Sequence, residues 1–179
     1  MTAPVTAPTV RSTRANEIVA AAREVLEKDG REALTMRRLA DELGIRAPSL
    51  YKHFADKAAV ESALIEAAFV EIGTALHDAV ARPGRRGAVS NLLAVYRSYG
   101  VEHPNAYRLA TSGPLDRAAI APGIEDWAGE PFFIATGEAY RAQALWSFAH
   151  GMVTLEIDGR FAEGSDLDRT WRTGATAFQ

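Results

Sequence analysis

The stretch from Thr35 to Lys57, TMRRLADELGIRAPSLYKHFADK, constrains this chain more than any other. Thr35 is placed as an N-cap, its side-chain oxygen able to accept from a backbone N–H that a first helical turn leaves without a partner. Leu39, Ala40 and Leu43 recur on one face at helical spacing, while Arg37, Arg38, Asp41 and Glu42 fall mostly on the other. Gly44 follows, where a left-handed C-terminal residue wants no Cβ. Ile45 returns to the apolar side, and Pro48 stands where a helix's first turn tolerates a missing donor. Leu50 and Phe54 share a face; Ser49, Tyr51, Lys52 and His53 point elsewhere. Helix, glycine corner and short polar helix make the helix-turn-helix arrangement, whose second helix enters the DNA major groove.

The same run resembles the signature of the TetR-type (tetracycline-repressor-like) transcriptional regulators. Its most specific part is L-Y-x-H-F-x-x-K, here Leu50, Tyr51, His53, Phe54 and Lys57, and the likeness reaches upstream to about Arg14. The resemblance implies roles for these side chains. A lysine at the position of Lys57 contacts the DNA backbone, and residues at the positions of Tyr51 and His53 commonly do so too. Arg37 matches a position that reaches a guanine edge, where a guanidinium can bond O6 and N7 together. Ala47 and Ser49 occupy base-facing positions. The residue chemistry agrees for Lys57, a cation beside the free N–H groups that open a long helix. The chain departs from the pattern at Arg46, where a short polar N-cap is usual, and Ala47 offers only a methyl contact. Recognition is therefore expected to lean on Arg37, Arg46 and DNA shape.

Length, composition and charge fit this reading. The 179 residues allow one or two small domains, and 47% apolar with 24% charged residues is ordinary for a globular chain. The net charge of −3 is unevenly spread: ten Lys/Arg against eight Asp/Glu in residues 1–57, ten against fifteen beyond. A mildly positive head on an acidic body suits a protein that turns one end to phosphates. Zero cysteines exclude thiolate chemistry and cysteine-held zinc and suit the cytoplasm. No membrane span and no secretory leader is expected, and residues 1–10 read as a disordered tail. No G-x-S-x-G, no H-E-x-x-H and no phosphate loop of useful spacing occurs, so no enzyme is expected. His53, His77, His103 and His150 stand apart, so no metal and no cofactor is expected either.

The expected fold is all-α: a three-helix bundle over residues 11–57, then a larger helical domain over 58–179. A first helix spans about Ser12 to Asp29, with Arg11 and Arg14 opposing its dipole unless a phosphate or solvent screens them. Asp56 caps a long helix with two apolar lines, broken by ARPGRRG (Ala81 to Gly87), which reads as a solvated turn. Val89 to Tyr99 and Ala106 to Thr111 are further helices. Pro122, Gly123, Gly129 and Pro131 suggest one broken helix or two short ones over Leu115–Thr136. A helix from Glu138 to about Arg160 is apolar nearly all round, and Ser165 begins a capping-box-like pair with Asp168 ahead of a last helix.

Trp146, His150 and Gly151 resemble the W-x-x-x-H-G element of one branch of TetR-type C-terminal domains, which bind ligands and dimerise. That resemblance implies a homodimer on a double-stranded operator, released by a small-molecule effector. Candidate pocket residues are Phe69, Leu76, Tyr96, Tyr107, Trp127, Phe133 and Trp146, against the ordinary reading of each as plain core. Few charges interrupt them, so the effector is expected to be neutral and hydrophobic. Candidate dimer residues are Leu145, Phe148, Ala149 and Met152 on one helix and Leu167, Trp171 and Phe178 on the last. The alternative is a helical ligand-binding or scaffold protein of the same fold without specific DNA binding.

Overall fold

The computed structural model describes residues 9–179, and every regular element among them is helical. The expected tail falls almost wholly outside the described residues. The chain divides into two compact units, one running to Val70 and resuming over His103–Ile124, the other formed by Glu71–Glu102 and Glu125–Gln179.

In the first unit, α1 (Thr13–Asp29) starts at Ser12, whose side chain accepts from Ala15 N, and ends at Gly30, whose φ of +82° excludes most side chains. A 3₁₀ turn (Arg31–Ala33) leads to α2 (Met36–Glu42) and α3 (Ala47–Leu50). Helix α4 (Lys57–Ala81) opens on Asp56, whose Oδ1 accepts from Ala59 N at 2.8 Å. Helix α6 (Pro104–Thr111) has no cap of its own at His103. Instead Glu27 of α1 accepts from Asn105 N and Ala106 N at 3.2 and 3.1 Å. One core holds these elements together, with Ile18, Leu26, Leu34, Leu39, Leu50, Val60 and Leu64 almost fully buried and Ala106 and Leu109 joining them.

The second unit contains the rest of α4, then α5 (Ala88–Glu102), α7 (Ile124–Thr136), α8 (Ala139–Ile157) and α9 (Leu167–Ala177). The arginine-rich break is a 3₁₀ turn over Gly84–Arg86 with its side chains in solvent. Residues 115–123 are not helical, and α7 then runs unbroken through Pro131, which corrects the expectation of a broken pair. Proline has no N–H to give the carbonyl four residues back. That carbonyl, Trp127 O, lies 3.0 Å from His77 Nε2, so a side chain from α4 replaces the lost bond. The His77 ring stacks on Trp127 at 5.1 Å, and Gly73 makes room for the indole: a Cβ there would lie 2.5 Å from Cζ3.

Helix α8 is capped by Glu138, whose carboxyl accepts from Tyr140 N and Arg141 N and is held below its usual range by them. The N-cap of α9 is Asp166 and not Ser165. Asp166 directly precedes the helix, whereas the Ser165 hydroxyl donates back to Ala162 O and Asp168 is drawn to Arg97. Arg97 of α5 grips both other helices: it forms a fork with Glu156 of α8 and lies 2.5 Å from Asp168 of α9. Trp171 Nε1 donates to the same Glu156.

Candidate nucleic-acid interface

The corner between α2 and α3 is closed by two backbone bonds around Gly44, at φ +62°. Ile45 N donates to Ala40 O (2.9 Å) and Gly44 N to Asp41 O (3.1 Å), the paired pattern of a Schellman end. Thr35 caps α2 from the other side, accepting from Arg38 N. Regular helix in α3 lasts only from Ala47 to Leu50, with Pro48 in its first turn. Turns carry it on, His53 N and Phe54 N both donating to Leu50 O, and Leu50 and Phe54 anchor the segment in the core.

That anchoring decides what faces out. Tyr51 is 53% exposed, so its ring is not core. Arg37, Arg46, Lys52 and His53 are exposed, and none of their side chains has a hydrogen bond or ion pair within the described residues. Ala47 and Ser49 are half-buried. Arg46 stands at the N-cap of α3, but a guanidinium only donates and cannot cap the helix.

Lys57 is placed differently. Its Nζ donates to Arg31 O at 3.0 Å and sits 3.6 Å from Glu61. Arg31 in turn forks onto Glu61 at 2.9 and 2.8 Å. The Arg31 hydrogen bonds hold the Glu61 carboxyl below its ordinary range and raise the guanidinium above its own. An ammonium has three donors, so these two contacts leave Lys57 with a donor to spare. Arg11 and Arg14 do not wait for a phosphate: they pair with Glu66 and Glu17. Arg38 lies between Asp29 and Glu42.

Sequence reasoning missed two features. Lys52 occupies the variable position of L-Y-x-H-F, where a motif carries no signal, yet it is an open cation beside Tyr51. The Arg31–Glu61 pair bridges thirty residues, and no local spacing announces it.

The seven candidate pocket residues are scattered. Leu76 and Tyr96 are buried in the second unit, Tyr96 edge-on to Phe132 at 5.5 Å, and Trp127 is half-buried. Tyr107 is buried and Phe69 half-buried in the first unit. Phe133 and Trp146 are surface residues, 52% and 44% exposed, Trp146 stacking on His150 at 5.7 Å. Burial lowers the His150 pKa.

The candidate dimer residues are largely covered by their own chain. Leu145, Ala149, Met152 and Trp171 are buried, Leu167 is half-buried, and Phe148 packs against Trp171 and Phe178. Helical spacing marks an apolar stripe without saying whose atoms cover it; here α8 packs against α5 of its own chain, and Phe148 against Trp171 of α9. The face of α8 left open carries Tyr140, Ala144, Ser147 and Leu155, with Gly151 beside them.

Comparison with known proteins agrees with this geometry. The family model for bacterial regulatory proteins of the tetR family matches residues 18–64, and that for the tetracyclin repressor-like C-terminal domain matches residues 89–178. An uncharacterized HTH-type transcriptional regulator of Mycobacterium tuberculosis is 33% identical over 157 residues, 79% of this chain and 69% of that protein. The class A tetracycline repressor from transposon 1721 of Escherichia coli is 43% identical over 56 residues, 31% of this chain and 26% of the repressor. In fold, a Rhodococcus protein of unknown function superposes with a TM-score of 0.80 at 24% identity, covering 97% of each chain.

Proposed function

Since the chain belongs to the tetR family of bacterial regulatory proteins, we propose that it is a ligand-responsive repressor that binds an inverted-repeat operator as a homodimer. The observation that carries this is the contrast among cations. Arg37, Arg46 and Lys52 stand open at the corner with Tyr51 and His53, while Arg11, Arg14, Arg23, Arg31, Arg38 and Lys57 each face a carboxylate. Open guanidinium groups beside a short exposed helix suit base edges and phosphates. Arg37 and Arg46 read bases, Ser49 and Ala47 contribute a hydroxyl and a methyl, and Tyr51, Lys52, His53 and Lys57 hold the backbone.

The homodimer forms through the open face of α8. Ala144, Ser147 and Gly151 let a partner helix approach closely, and Tyr140 and Leu155 flank them. A two-fold pair places two corners on successive major grooves, about 34–36 Å apart. The effector is small and apolar and binds among residues such as Leu76, Tyr96 and Trp127. It releases DNA by binding better to an arrangement in which the two corners no longer match that spacing.

Selection from random duplexes tests the reading. It should enrich an inverted repeat with half-site centres about one helical turn, or a multiple, apart. Enrichment of no common sequence would overturn it.

A further inference from the structure

Glu66, on α4, is 3% exposed and is the buried charged residue of the first unit. Two segments meet on its carboxylate. Thr9 Oγ1 donates to Oε1 at 3.0 Å and Arg11 pairs with Oε2, both from the segment that precedes α1. Ala121 N donates to Oε1 at 2.6 Å. The carbonyl of Ala121 accepts from Ile124 N, the first residue of α7, at 3.2 Å. Ile120, Ala121 and Ile124 are all buried around this joint. The segment that ends here is also tied where it begins, since Glu27 of α1 accepts from Asn105 N and Ala106 N.

A buried carboxylate is stable only while its charge is paired and its lone pairs are occupied. The segment before α1 and the turn before α7 therefore share one counter-charge. We propose that Glu66 is a coupling node: Arg11 and Thr9 hold the carboxylate that holds Ala121, so displacing the turn before α7 loosens the segment before α1, and the reverse. Under the function proposed above, on which this regulatory role rests, the node relays a shift of that turn to α4 and α1, which share the core of the DNA-reading corner.

Hydrogen exchange on the full chain without DNA tests the node independently of that function. In Arg11→Ala the peptide spanning residues 116–124 should exchange about tenfold faster, although Arg11 bonds Glu66 and not Ala121. Thr9→Val, which removes one hydroxyl, should act in the same direction and more weakly. Glu66→Gln, which keeps an acceptor but loses the charge, should free residues 9–12 first. Peptides from α8 and α9 should be unchanged, showing that the fold persists. Exchange at 116–124 equal to wild type in both Arg11→Ala and Thr9→Val overturns the node. If exchange responds but the variants bind the selected operator as wild type does, the relay to the head is overturned. If wild type binds no operator, the proposed function fails and the exchange result still stands for the node.

Discussion

Replacing His77 with alanine removes the donor that stands in for a missing backbone bond in α7. Pro131 leaves Trp127 O without its helical partner, and His77 Nε2 occupies that place at 3.0 Å, which requires the ring proton on Nε2. Leaving a partly buried carbonyl unsatisfied costs about 1–3 kcal/mol. The ring stack on Trp127, 5.1 Å between centroids and 23° between planes, adds about 0.5–1.5 kcal/mol. For a chain of this length each kcal/mol moves Tm by about 2–4 °C, so His77→Ala should lower it by roughly 3–18 °C in differential scanning calorimetry. The decisive comparison is with Pro131→Ala, which gives residue 131 an N–H to donate to Trp127 O. In that background the loss from His77→Ala should shrink by about 1 kcal/mol. An equal loss in both backgrounds refutes the explanation of how α7 runs through its proline.

Gly174→Ala would drive a Cβ into the Phe148 ring, and the overpacking should cost about 1–3 kcal/mol, read as a lower Tm. Tyr51→Ala and Lys57→Ala should each weaken operator binding while far-UV circular dichroism stays unchanged. Gel shifts at several salt concentrations should show Lys57→Ala reducing the salt slope by about one; full affinity in both variants would remove these residues from the interface. The Arg97 guanidinium holds the Asp168 carboxyl below its usual range. A lowered folded pKa means the contribution is present above the unfolded value and lost as pH falls through the folded one. The Tm gap between wild type and Arg97→Met should therefore narrow from about pH 6 to about pH 3, and a constant gap would contradict the ion pair's role.

Much of the molecule was legible from local pattern. Thr35, Gly44 and Pro48 mark the ends of α2 and α3 because caps and a left-handed corner are chemistry of adjacent residues. Of the two apolar lines of α4, Val60, Leu64, Ala68 and Ile72 of the first and Leu76 and Val80 of the second are buried, while Ile65 and Phe69 of the second are half-buried. The corner's exposed residues were legible too, since Leu50 and Phe54 claim the inward face and leave Tyr51 and His53 outside. Less legible was the fate of each charge. Arg11 and Arg14 look like anion-seeking groups from their position at a helix start, yet each meets a carboxylate. Pro131 looks like a helix breaker, because the histidine that rescues Trp127 O lies fifty residues away.

Local sequence determined the elements, their caps and the identity of the reading corner, because those depend on periodicity and on bonds between neighbours in the chain. Tertiary structure alone decided which cations stay open and which are spent on Glu61 and Glu66. It alone decided that Leu145 and Trp171 are buried within their own chain, leaving the opposite face of α8 bare. The physical reason is the same in each case. A side chain's chemistry says what it can bond, but long-range packing decides which of its possible partners arrives first, and burial then makes that pairing costly to undo.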